Sequence, residues 1–183
     1  MKKKILLLTG SPGVGKTSVL LRIVESLKAK GYSVGGMLSR EVQARGGRVG
    51  FEILDLSTGR KGWLARVSRE QGPRVGRYHV NVGDLDEIGV RAIADAVVNS
   101  DVIIIDEIGP MELHSQKFRE IVRKIAVSPK LVVGIVHWKA EDSLIAEVKA
   151  RDDAEVHPVT LENRENLDEL VLKEALNFLS ETC

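Results

Sequence analysis

Gly10-Ser11-Pro12-Gly13-Val14-Gly15-Lys16-Thr17 matches G-x-x-x-x-G-K-[ST] at every fixed position and stands between two different hydrophobic periodicities. Before it, Ile5–Thr9 is a short unbroken apolar run, the length of a buried strand. After it, Thr17–Lys30 carries Leu20, Ile23, Val24 and Leu27 on one helical stripe and stops at Gly31. A strand, a glycine-rich turn and a helix in that order make a cradle for phosphate. The glycines let backbone N–H groups close around an anion, and the helix aims its positive end at the same point. Lys16 then reaches the β- and γ-phosphates and Thr17 offers its hydroxyl to Mg²⁺. Gly10, Ser11, Pro12, Gly13, Val14, Gly15 and Ser18 complete the nucleotide-binding set. A dinucleotide fingerprint is the nearest competitor. Gly13 and Gly15 supply G-x-G, but its third glycine position holds Ser18, and the Lys16-Thr17 pair has no part in that motif.

Working outward, apolar runs alternate with helical patterns. Helices are expected over Asp84–Asn99, Ser115–Val127, Glu141–Ala150 and Asn163–Leu179, with Asp84/Glu87 as a capping box and Asn163 as an N-cap. Buried strands are expected at Val102–Ile105 and Leu131–Val136, and a further strand at Ala154–Thr160. Continuous apolar strands alternating with helices imply a parallel sheet covered on both faces. The fold class is therefore α/β, a three-layer arrangement in one domain over 1–183. The stretch from about Arg40 to Val80 breaks the rhythm. It reads as an antiparallel hairpin insertion, Val49–Asp55 and Lys61–Val67 around Ser57-Thr58-Gly59.

Val102-Ile103-Ile104-Ile105-Asp106-Glu107 is an apolar strand ending in two carboxylates. Asp106 is the expected Mg²⁺ acid, directly or through a water. Neighbouring side chains on a strand point to opposite faces, but where the strand end turns both carboxylates can border one cleft. Glu107 then orients and deprotonates a water. Asp106-Glu107-Ile108-Gly109 also fits D-x-x-G, a switch signature of small GTPases. Those proteins read guanine through N-K-x-D, and no such tetrapeptide occurs.

Composition narrows the partners. Hydrophobic residues make up 43% and charged residues 29% of 183 residues, with a formal net charge of +1. That balance points to no polyanionic partner. Aromatics at 4% argue against a base-stacking platform. The only cysteine, Cys183, cannot form an intramolecular disulfide, which permits a reducing compartment. Met1-Lys2-Lys3-Lys4 followed by Ile5–Leu8 imitates a signal peptide, but the h-region of one needs roughly seven or more apolar residues. No run approaches the ~20 residues of a membrane span. A cytoplasmic protein with a monomer as default is expected.

The phosphate-loop residues, together with Asp106-Glu107-Ile108-Gly109-Pro110-Met111-Glu112-Leu113, resemble the THEP-type, or cancer-related, nucleoside-triphosphatases. Gly47-Arg48-Val49-Gly50-Phe51, Val75-Gly76-Arg77-Tyr78 and Glu162-Asn163-Arg164 extend the similarity along most of the chain. The resemblance implies a RecA-like fold of the additional-strand class, with a catalytic glutamate beside the metal aspartate. It places Leu131–Val136 between the phosphate-loop strand and the Asp106 strand. It also implies slow hydrolysis of ATP, GTP, CTP and UTP to NDP and phosphate with weak base selectivity. After Leu131–Val136 the family has a plainer, proline-containing turn, where this chain has His137-Trp138-Lys139.

Other residues carry two readings each. His137 is either a sensor for the γ-phosphate or a packed strand-end histidine, the second being favoured. Candidate arginine fingers are Arg40, Arg45, Arg151 and Arg164, since transferred phosphoryl spreads charge over its equatorial oxygens. Glu112 reads as a solvated helix-start acid that could also support Glu107 or the metal. Trp63 and Trp138 read as packing residues. Between Arg40 and Val80 there are nine Lys/Arg against four Asp/Glu. This is either a basic flap over the triphosphate or a solvated hairpin, with nucleic acid a weaker alternative. The four histidines show no metal-ligand spacing. An NTP phosphohydrolase is the first expectation. A small-molecule or nucleotide kinase on the same loop, and a nucleotide-gated RNA or protein interaction module, remain as alternatives.

Overall fold

A computed structural model describes residues 2–181; Met1, Thr182 and Cys183, and with them the reading of Cys183, lie outside the described residues. The chain runs through strand β1 (Ile5–Thr9), helix α1 (Lys16–Ala29) and a long strand β2 (Val34–Ala44). Strands β3 (Gly47–Asp55), β4 (Lys61–Arg66), β5 (Arg74–Val75) and β6 (Tyr78–Val80) follow. A short α2 (Val82–Asp84) passes through a π-helical segment, Leu85–Val90, into α3 (Arg91–Asn99). The rest is β7 (Val102–Ile108), α4 (Gln116–Val127), β8 (Leu131–Val136), α5 (Ser143–Lys149), β9 (Ala154–Pro158) and α6 (Leu167–Leu179).

All nine strands join one sheet in the order β5-β6-β4-β3-β2-β7-β8-β1-β9. The half from β2 to β9 is parallel throughout, and β8 lies between β1 and β7 as the resemblance implied. Period-two alternation sends Leu6 and Leu8 of β1 to one face and Ile5 and Leu7 to the other. The first face is covered by α1 and α6 and the second by α3, α4 and α5, which gives the expected three layers.

The hairpin of the sequence reading, β3–β4, is present around Ser57-Thr58-Gly59; the short strands β5 and β6 extend it, and β2 joins it to the main sheet. β2 pairs in parallel with β7 over Val34–Met37 and then turns its other edge to β3 from Met37 to Ala44. One strand thus belongs to both halves and fixes the insertion rigidly above the ends of the parallel strands. Ser39 to Ala44 are mixed polar residues without an apolar run, so their strand is set by pairing and not by pattern.

Two cap readings and one helix start are corrected. Asn81, not Asp84, caps the second helical stretch by accepting from the Asp84 N–H, while the Asp84 carboxylate accepts from the Trp63 N–H across the sheet edge. Asn163 does not start the last helix. It closes a turn with Thr160 through reciprocal side-chain bonds, and helix α6 begins at Leu167. The helix after β8 starts at Ser143, capped by Asp142.

Candidate active site

The phosphate loop leaves β1 and enters α1 through Gly15, whose φ of 110° suits glycine and is costly for other residues. At Gly10 a Cβ would stand 2.8 Å from the Val159 carbonyl, so the loop can press against the chain after β9 only without a side chain. Gly15 caps α1 with no side-chain partner, and the first turn holds no acid. The helix therefore presents uncompensated N–H groups to an anion. Lys16 Nζ donates to the Gly10 and Ser11 carbonyls at 2.8 and 3.0 Å, folded over the loop it would share with phosphate. Val14 turns its side chain into the core, and Ser18 is exposed on the first turn of α1.

Thr17 Oγ1 donates to Asp106 Oδ2 at 2.9 Å. Asp106 is 4% exposed, and burial pushes its carboxyl up to about 7, with Glu107 adding to the rise and Thr17 and Lys16 opposing it. A buried hydroxyl and carboxylate side by side are hard oxygen donors of the kind Mg²⁺ takes along with phosphate oxygens. The pair lines the cavity beside Lys16, so it fits that ion.

Ile108 pairs with Val136 and Asp106 with Ile135, which leaves Glu107 unpaired in a β-bulge between them. The bulge breaks the alternation and brings Asp106 and Glu107 to the same cavity, as the reading of a turning strand end required. Burial raises the Glu107 pKa and Lys16 opposes that rise. Glu112 is not the solvated acid of the sequence reading. It is 2% exposed, and burial first, then the facing Glu107 and Asp106 carboxylates, hold it well above its usual range. Gly109 makes the two glutamates compatible. A Cβ there would lie 2.6 Å from Glu107 Oε1 and 3.2 Å from Glu112 Oε2.

His137 ends β8 at the same cavity. Its Nδ1 accepts from the backbone N–H groups of Lys139 and Ala140 at 3.2 and 2.9 Å, so the neutral ring carries its proton on Nε2. Burial, Lys16 and Lys149 lower its pKa. The loop that follows is anchored by the paired Arg119–Asp142 contacts at 3.1 and 2.7 Å. His137 is half-buried at the strand end, with its Nδ1 held by the loop that follows.

The four arginines separate. Arg151 pairs with Asp153 just before β9, at the opposite end of the parallel strands from the loop, and Arg45 sits on the exposed β2–β3 turn. Neither position is at the cavity. Arg40 lines the cavity and pairs with Glu52. Arg164 donates to the Val14 carbonyl at 3.4 Å and passes 3.6 Å from the Cβ position of Gly15, on the β9 side of the loop. Arg22 fixes it there by donating to its carbonyl and to Asp168.

Together these residues border one cavity of about 310 Å³. Its floor is Pro12, Gly13, Lys16, Thr17, Asp106 and Glu107. Its far wall, which the sequence reading did not single out as a site, includes Ser39, Arg48, Phe51, Leu64, Val75, Met111 and the 41% exposed Trp138. No signal in the sequence alone joins these positions, because Ser39, Arg48, Phe51 and Leu64 of β2–β4, Val75 of β5 and the residues after β7 and β8 meet only when the sheet assembles.

Comparisons with known proteins identify the family. The family model described as NTPase matches residues 5–172. Nucleoside-triphosphatase THEP1 of Thermofilum pendens is 42% identical, aligned over 98% of this chain and 100% of its own length. The protein of that name from Methanothermobacter thermautotrophicus is 46% identical over 88% of this chain and 90% of its own. The crystal structure of THEP1 from the hyperthermophile Aquifex aeolicus superposes with a TM-score of 0.80 at 32% identity, covering 92% of this chain and 97% of that one. The solution structure of a human cancer-related nucleoside triphosphatase gives 0.78 at 33% identity, covering 94% and 96%. With a phosphate loop, a metal-competent Thr17–Asp106 pair and these relatives, the chain belongs to the THEP1 family of P-loop nucleoside-triphosphatases.

Proposed function

We propose that this protein is a Mg²⁺-dependent hydrolase that cleaves the β–γ bond of ATP, GTP, CTP and UTP with little base preference. The observation that carries this reading is the bulge at Glu107, which sets a second carboxylate beside Asp106 in the cavity that Lys16 and Thr17 enter. When bound, Mg²⁺ supplies charge neutralisation at the β- and γ-oxygens. Thr17 and Asp106 would hold it. Lys16 exchanges its two loop carbonyls for phosphate oxygens. Glu107, with its pKa raised by burial, accepts a proton from the attacking water. His137 Nε2–H donates to the γ-phosphate, which makes it a sensor and not a packing residue. Arg164 lies on the side of the loop from which the nucleoside end would leave, and so contacts the α-side phosphates. Weak base preference goes with a loop that recognises phosphate through its backbone and carries no guanine-reading tetrapeptide. Among the described residues no helix is long and apolar enough to cross a membrane; we take the protein to work in the cytoplasm.

Phosphate release from the four triphosphates, with Mg²⁺ and with chelator, tests this. Release from all four that stops with chelator is expected. Release from one base alone, or release indifferent to chelator, would contradict it.

A further inference from the structure

We propose that the end of the cavity away from the phosphate loop is a second-substrate pocket for a small ring-bearing alcohol with an anionic group, and that the γ-phosphoryl group passes to its hydroxyl in competition with water. The inference rests on the reading of Glu107 as the base.

The cavity is about 310 Å³ and its lining is of two kinds. Lys16, Thr17, Asp106 and Glu107 make up the phosphate and metal side, and Phe51, Leu64, Val75 and Met111 add an apolar side. An apolar surface of that kind adds nothing to the handling of water, and ligand pockets combine such walls with a few placed polar groups. These residues are also held firmly. Phe51 pairs with Glu41 on one side and Ala65 on the other, and its ring meets Tyr78 edge-on at 5.2 Å.

Two observations specify the ligand. Arg48 lines the cavity 5.5 Å from the Phe51 ring centre; its Nη2 is paired with Glu41, which lines the cavity beside it, while its Nε is buried and has no partner, so one donor remains for a ligand. A donor left open beside an aromatic ring calls for an anion on a ring compound. The acceptor atom follows from Glu107. A phosphate or carboxylate nucleophile is already ionised at neutral pH and would be repelled by a carboxylate, whereas a hydroxyl needs a base. The nucleotide does not compete for this space, because the β9 side of the loop, at Arg164, is left for the nucleoside.

In the step, the alcohol oxygen bonds to the γ-phosphorus as the bond from that phosphorus to the β-bridging oxygen breaks. The electron pair leaves with the β-phosphate as NDP. The hydroxyl proton goes to Glu107 and then to solvent, and the acceptor becomes a phosphomonoester.

The probe is 4-(hydroxymethyl)benzoate, incubated with Mg-ATP and the full-length protein. Phosphorus NMR separates phosphomonoester from inorganic phosphate. Phosphomonoester that saturates with probe is expected, blocked competitively by benzoate and at least ten-fold weaker with benzyl alcohol. Val75→Phe, which fills the apolar end, should lower the ratio of phosphomonoester to phosphate at least ten-fold, a ratio independent of the folded fraction. Arg48→Gln should reduce the preference for the probe over benzyl alcohol. Inorganic phosphate at the normal rate with no phosphomonoester overturns the pocket while leaving the hydrolytic reading in place. No product of either kind from ATP removes the hydrolytic reading and the pocket together.

Discussion

Replacing Asp106 with Asn should make the metal-free protein more stable while abolishing its turnover. Asp106 is 4% exposed and its carboxyl is pushed up to about 7 by burial, against 3.8 in an unfolded chain. Because the folded pKa is raised, the native state holds this proton more tightly than the unfolded state between those two values. Stability therefore falls as pH rises through that window, which is the reverse of a salt-bridged aspartate. Asparagine does not titrate, so the gap between the variant and its parent should widen with pH. With 1.36 kcal/mol per pH unit, the full interaction is about 4 kcal/mol, of which about 3 kcal/mol develops between pH 5 and pH 8. Relaxation of the ion-free site reduces this, and a gain of ~1–2 kcal/mol across that interval is expected. For a chain of this size that is ~2–8 °C in Tm. The amide oxygen can still accept from Thr17, so that bond is not lost. The assay is urea and thermal unfolding of both proteins in chelator at pH 5 and pH 8. A variant that is less stable at pH 8, or a gap that does not change with pH, would refute a buried carboxylate whose pKa is raised in the folded state.

Gly109→Ala should leave stability within ~1 kcal/mol, because the added methyl meets the movable ends of Glu107 and Glu112, yet turnover should fall ten-fold or more as Glu107 is displaced; melting curves and steady-state kinetics check the split. Lys16→Ala should weaken triphosphate binding at least ten-fold and remove hydrolysis, read by calorimetry and phosphate release. Arg151→Ala should leave turnover unchanged, since Arg151 is away from the cavity, and cost ~1–3 kcal/mol in an unfolding titration, because the buried Asp153 carboxylate keeps only Lys4 as a cationic partner.

The parallel half of the sheet was legible because its signals are local. Ile5–Thr9, Val102–Ile105 and Leu131–Val136 are uninterrupted apolar runs, and the loop from Gly10 to Thr17 fixes its own neighbours. Asp106 and Glu107 were legible as a pair, although the bulge that unites them depends on how β7 meets β8. What escaped was built by pairing. Ser39 to Ala44 carry no strand pattern, and their place in β2 comes from the partners on either edge. The caps failed for a related reason: Asp84 and Asn163 are good capping residues by type, but each side chain is used by a tertiary neighbour or a turn. Glu112 escaped because an acid at a helix start is ordinarily solvated, and only the fold buries this one against Glu107. Arg151 attracted a role by charge alone, which the strand direction of β9 removes.

Glu107→Gln tests the central claim most directly. The substitution keeps size and removes the base, so nucleotide binding measured by calorimetry should stay within about two-fold, while phosphate release should fall by ~10²-fold or more, the scale of general-base loss. Hydrolysis at the parent rate by a variant that still binds nucleotide would contradict the assignment of Glu107 to the attacking water.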